Sequence, residues 1–179
     1  QFVKNIDKYL KGNIVIRAVD DEEFTGRTLR DLQADIERTD ADFVIIDPFY
    51  YLDYEVNTSR TTGGDAAATS MKLRRYAGMS SAVIIAITQA EEGKEGEEDG
   101  RRELKLPGRD DVKKTKQLME DAYQLIAVDT DYKQGRGIVG VNKGRDGGEG
   151  DFTEFIYAPQ YGVIEPLKTG EEVIGDFDF

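Results

Sequence analysis

The chain has 179 residues, 39% of them hydrophobic, which suits one globular domain with a real core. It contains neither cysteine nor histidine, which excludes disulfide frameworks, thiolate metal sites, Ser-His and Cys-His catalysis and most zinc sites. The net charge of -12 argues against a general nucleic-acid coat, so any DNA contact must be local and must overcome that background field.

Residues 2–10 set Phe2, Val3, Ile6, Tyr9 and Leu10 at helical spacing. Residues 13–19 read as a strand. Thr28 and Asp31 form a capping-box-like start, and Leu29, Leu32 and Ile36 give the helix behind it one apolar face. The run Phe43-Val44-Ile45-Ile46 is continuously apolar, which fits a strand buried on both faces of a parallel sheet. Residues 53–64 read as a loop, and Asp65 is set to cap a helix ending near Met79. Residues 82–88 predict a third buried strand. Residues 91–103 read as a charged loop, 113–121 as a short helix and 122–129 as a strand. Residues 137–142 and 152–158 predict a hairpin across Gly144, Gly147, Gly148 and Gly150. A last strand falls in 161–167, before an acidic, aromatic tail. Alternating strands and helices followed by antiparallel strands predict an α/β protein with an antiparallel extension. No apolar run reaches membrane-spanning length and no leader-like start is present, so a cytoplasmic setting is the default. The first residue is Gln1 rather than Met, and a piece of a longer protein is the expectation.

Four segments carry candidate chemistry. The strand 43–46 ends in Asp47, and ligands of open α/β sheets bind beyond the carboxyl ends of the strands. A carboxylate there can hold the water shell of a Mg²⁺ on nucleotide phosphates. An ordinary strand end stopped by Pro48 explains the segment equally well. The strand 83–87 runs into Thr88 and Gln89, and an amide there can sense a γ-phosphate; a plain strand end is again the simpler alternative. Lys143-Gly144-Arg145 sits at the mouth of the predicted hairpin, with two cations two residues apart on one side of an extended segment. A guanidinium presented this way can reach a phosphate on a neighbouring subunit, while a solvated turn is the commoner role of such a tripeptide. Arg109, Lys113, Lys114 and Lys116 concentrate positive charge in an acidic chain, as contacts to nucleic-acid phosphates require. A solvated helix start is the alternative. No Gly-x-x-x-x-Gly-Lys-Ser/Thr loop occurs in the sequence, so no phosphate cradle of that kind can be assigned.

The order of these segments over residues 13–167 resembles the DnaB-type hexameric replicative DNA helicases and the related phage primase–helicases. Phe43-Val-Ile-Ile-Asp47-Pro-Phe-Tyr-Tyr-Leu52 looks like their Walker B strand, and Ile85-Ala-Ile-Thr-Gln89 like the motif whose glutamine couples nucleotide state to DNA-contacting loops. Leu106 to Ala122 looks like the loop and helix that hold single-stranded DNA in the ring's pore. Val141-Asn-Lys143-Gly-Arg145-Asp-Gly-Gly-Glu-Gly150 looks like their Lys-x-Arg finger and turn, and residues 155–166 like the closing strand pair. The chain departs from the family at Lys113, where Arg is usual, at Tyr123, where an acidic residue is common, and at Pro48.

The resemblance implies a RecA-like, mostly parallel twisted sheet flanked by helices, with an antiparallel C-terminal hairpin extension. Residues 1–167 would be a partial domain lacking the N-terminal part of the core, and 168–179 an acidic tail. It implies an ATP-dependent helicase that translocates 5′ to 3′ on single-stranded DNA as a homo-hexameric ring in a bacterial cell or phage-infected host, with a primase or loader as partner. ATP and Mg²⁺ would be cofactors. Asp47 would hold Mg²⁺ through water, Gln89 would report nucleotide state, and Lys143 and Arg145 would act on the nucleotide of the adjacent subunit. Arg109, Lys113, Lys114 and Lys116 would grip DNA. A RecA-type recombinase and a non-catalytic RecA-like assembly module are the rival expectations.

Overall fold

A computed structural model of the chain describes residues 12–18, 20–21, 24, 26–58, 60–90, 103–108, 111–112 and 116–167. The helix expected over 2–10, all but the last residue of the loop expected over 91–103, and the tail 168–179 lie outside the described residues, as do Arg109, Lys113 and Lys114.

Helix α1 spans Leu29–Thr39. Its start follows from two side chains. The Asp31 amide donates to Thr28 Oγ1 at 3.2 Å, and the Thr28 amide donates to Asp31 Oδ2 at 3.0 Å. These bonds occupy two of the amides that a helix start leaves without partners. Asp40 ends the helix in the left-handed conformation. Strand β1, Phe43–Ile46, follows directly. A 3-10 turn at Phe49–Tyr51 leads to the loop before helix α2, Gly64–Met79. Strand β2, Val83–Ala86, pairs parallel with β1, Phe43 opposite Val83 and Ile46 opposite Ala86.

Helix α3, Gln117–Asp121, is short. Strands β3 (Gln124–Asp131), β4 (Arg136–Gly144), β5 (Phe152–Ala158) and β6 (Val163–Pro166) form an antiparallel sheet in chain order. The turn between β4 and β5 carries Gly147, Gly148 and Gly150, all at positive φ, which glycine reaches without a Cβ clash. Between β3 and β4 the register slips. Leu125 faces Lys143 but Ile126 faces Val141, so Asn142 is an extra residue in a bulge.

The core lies against the parallel pair. Ile46, Phe49 and Leu73 form its buried centre, and Leu29, Leu32, Val44 and Ile84 pack around it. Among the described residues no helix is long and apolar enough to cross a membrane.

Several expectations need correction. The parallel part is one pair, and antiparallel ladders dominate the described residues, so a mostly parallel sheet is not what they form. Residues 13–18 are exposed and lie in no strand; an apolar run becomes a strand only where another strand offers its backbone groups. Strand β1 is not buried on both faces. Phe43 is 57% and Ile45 60% exposed, while Ile46 is buried, because the side chains alternate and helices cover one face. The N-cap of α2 is Gly63 at φ 74 rather than Asp65, whose carboxylate bonds the neighbouring Ala66 amide.

Candidate functional site

Parallel pairing sets the carboxyl ends of β1 and β2 side by side. The Ile87 amide donates to the Ile46 carbonyl at 2.9 Å, and the Phe49 amide donates to the Ile87 carbonyl at 2.7 Å. The two segments therefore stay laced together beyond the strands. Asp47 follows β1 at this end and is exposed; Gln89 lies three residues past β2 and is also exposed. The Asp47–Pro48 peptide is cis. Among the described residues no group of three or more carboxylates is set to hold a metal. A lone Asp47 carboxylate fits the way Mg²⁺ is held, since that ion keeps several waters and takes one or two carboxylates beside phosphate oxygens.

The chain past Gln89 connects this end to the basic segment. Ala90 forms an antiparallel bridge with Val112, which lies between Arg109 and Lys113 in sequence. Lys116 is exposed, and its carbonyl accepts from the Met119 and Glu120 amides, opening α3.

Five residues make a weak helix on propensity alone, since nucleation is costly and short helices are marginal. Side chains from two other elements hold α3. Buried Ser70 of α2 donates to Asp121 Oδ2 at 2.6 Å, and Arg74 donates to the Asp121 carbonyl. Lys143 Nζ donates to the Met119 and Glu120 carbonyls at 3.0 and 2.7 Å. A cation on the last carbonyls of a helix answers both their free lone pairs and the negative end of the helix dipole.

Arg145 sits in the turn just past β4, exposed to solvent. Its guanidinium carbon lies 5.7 Å from the centroid of the Tyr123 ring. The Tyr123 hydroxyl donates to Asp146 Oδ2 at 2.6 Å. That bond to a carboxylate, with the negative charge beside it, pushes the phenol pKa above its usual value.

The structure thus brings Asp47 and Gln89 to one end of the parallel pair. Lys143 lies on the other sheet and Arg145 in the turn after it, and both reach toward the end of α3, Lys143 onto its carbonyls and Arg145 onto the residue that follows Ala122. Two surface concavities lie elsewhere, one where α1 and α2 end and one across β3 to β6, and none of these four residues lines either. Ser70 and Arg74 carry no motif in the sequence, and Asp121 and Asp146 fall inside motif segments without being singled out as site residues. The only signal available for Asp146 was its place beside Arg145, and for Ser70 and Arg74 their shared face on a helix.

No family model matches the chain, and no curated protein matches it.

Proposed function

We propose that this chain is the C-terminal part of a RecA-like motor of the DnaB-type helicase kind, which hydrolyses ATP between subunits of a ring and moves along single-stranded DNA. The observation that carries this reading is that Asp47 and Gln89 share one end of the parallel pair, and that Ala90, next to Gln89, bridges to Val112, which stands in sequence between Arg109 and Lys113. In a motor, the group that senses the nucleotide must move the group that holds DNA, and such a bridge would couple the two segments. Asp47 would hold Mg²⁺ through water, and the ion would neutralise charge on the nucleotide phosphates. Gln89 would bond the γ-phosphate and shift when it leaves. Lys116, with Arg109, Lys113 and Lys114, would hold DNA phosphates from a pore loop, so that only the pore need be positive in an acidic ring. Arg145, exposed beyond the end of β4, would reach the nucleotide of the adjacent subunit. The phosphate-cradling loop that the reaction needs would come from sequence outside these residues.

The test is Arg145→Ala in the full-length protein. DNA-stimulated ATP turnover is expected to fall by about 10³-fold, the lower end of what such a finger supplies in GTPases, while nucleotide binding stays within a few-fold. Unchanged turnover rejects the finger role. The second reading, a non-catalytic assembly module, has one observation in its favour, the absence of a Gly-x-x-x-x-Gly-Lys-Ser/Thr loop from the sequence. A full-length protein that binds no nucleotide at all would favour it.

A further inference from the structure

Arg145 stands in an acidic turn. Asp146, Glu149 and Asp151 follow it within six residues. A long cation there has an easy local partner, and an arginine folded onto its own turn could not project from it. Yet Arg145 forms no ion pair with the described residues. The nearest acid in sequence, Asp146, is instead taken by the Tyr123 hydroxyl at 2.6 Å. The guanidinium lies over the ring of that same tyrosine, 5.7 Å from its centroid.

The backbone makes this meeting a consequence of register. Helix α3 ends at Asp121, and Ala122 turns out of it at φ -58 and ψ 137. Tyr123 is then the last residue before β3, whose first residue, Gln124, faces Gly144. One step beyond that pair in opposite directions lie Tyr123 and Arg145. The bulge at Asn142 sets which residues meet there, since without the extra residue Leu125 would face Asn142 and the cations would fall one place later. Lys143, in the same stretch, is already spent on the carbonyls of α3.

We propose that Tyr123 is a positioning residue for Arg145. Its ring seats the guanidinium at the tip of the hairpin, and its hydroxyl holds Asp146 away from the arginine. The inference rests on the proposed role of Arg145 and adds a residue to it. The attraction between a cation and an aromatic face is modest at an exposed site. Tyr123 therefore sets the population of one arginine orientation rather than making the chemistry possible.

Two measurements separate this inference from the reading beneath it. In this chain, Tyr123 should shift the Arg145 Hδ and Hε proton resonances upfield through its ring current. Tyr123→Leu, which keeps bulk without a ring, should abolish the shift, and Tyr123→Phe should keep it. In the full-length protein, Tyr123→Leu should lower kcat for DNA-stimulated ATP turnover by about two- to fivefold, the scale of one exposed cation–π contact. KM for ATP should be unchanged, and Tyr123→Phe should restore the greater part of the loss. Full turnover in Tyr123→Leu beside a dead Arg145→Ala overturns the positioning role and leaves the finger standing. Full turnover in Arg145→Ala overturns both. Arg145 resonances that ignore the leucine variant show that no such seat exists.

Discussion

The parallel pair and the four-stranded sheet are held together by different parts of the chain. Each strand of the parallel pair has four residues, and its pairing comes from segments forty residues apart. The side chains do the holding there, since the largest fully buried ones, Phe49, Thr69 and Ser70, all belong to the elements around that pair. The four-stranded sheet inverts the balance. Its strands run to nine residues and each is joined to the next by a short connection. Its buried positions are small, Ala127, Gly137 and Gly140. Backbone ladders close locally in such a meander, whereas parallel pairs need long crossovers. One region is defined by packing, the other by register. Damage to a buried side chain should therefore stay in the first, and damage to a turn should stay in the second.

The largest expected effect comes from removing Phe49, which is 2% exposed and meets Tyr54 with ring centroids 5.7 Å apart. Phe49→Ala should cost about 3–5 kcal/mol, as other buried aromatic truncations do. Amide hydrogen exchange should show β1, β2 and α2 losing protection while the β3–β4 ladder keeps its own. Equal loss in both regions would mean that they unfold as one unit and would erase the distinction.

The converse blow falls on Gly144. A Cβ at that position would stand 2.0 Å from the Gly147 carbonyl oxygen, a backbone atom that cannot swing aside. Gly144→Ala should cost about 1–3 kcal/mol through that overpacking. Faster exchange is expected at the Gly147 and Gly150 amides, which bond the Gly144 and Val141 carbonyls at 3.3 and 2.9 Å. Exchange in β1 and β2 should not change. A transition broadened across the whole chain would instead tie the turn to the packed core.

The same division explains what the sequence made legible. Hairpin turns and helix starts are written in a few adjacent residues, so Thr28 with Asp31 and the glycines after Lys143 were readable. Features that need a distant partner were not. The run at residues 13–18 has strand composition, yet strandness belongs to a pair and not to a segment. Phe43 and Ile45 read as buried because hydrophobicity records what a residue prefers, while the elements packed against it decide which face is covered. The cap at Gly63 escaped because glycine is chosen there for its left-handed φ, which leaves no polar side chain to notice. Of the candidate site, the ends of two parallel strands could be foreseen from Asp47 and Gln89, since parallel strands share a direction. Contacts such as Tyr123 with Arg145 depend on a bulge at Asn142, and one inserted residue in a ladder leaves no mark in composition.

The smallest effect tests the most local feature of all. Thr28→Ala removes the oxygen that accepts from the Asp31 amide and should cost about 1 kcal/mol, as lost helix caps do. The Thr28 hydroxyl also donates to Asp31 Oδ2 at 2.6 Å, and this bond, more than the one from the Thr28 amide, holds the Asp31 carboxyl below the usual carboxylate range. A carboxyl whose pKa is lower in the folded state stabilises the fold above its unfolded value, and that contribution disappears as pH falls through the folded one. The wild-type advantage over Thr28→Ala should therefore be full near neutrality and shrink in acid, below about pH 4. Urea midpoints of the two proteins, followed by the helical signal from neutral to acid pH, read this directly. A gap that stays constant into strong acid would mean that the cap works through the hydroxyl alone and that the Asp31 charge adds nothing to it.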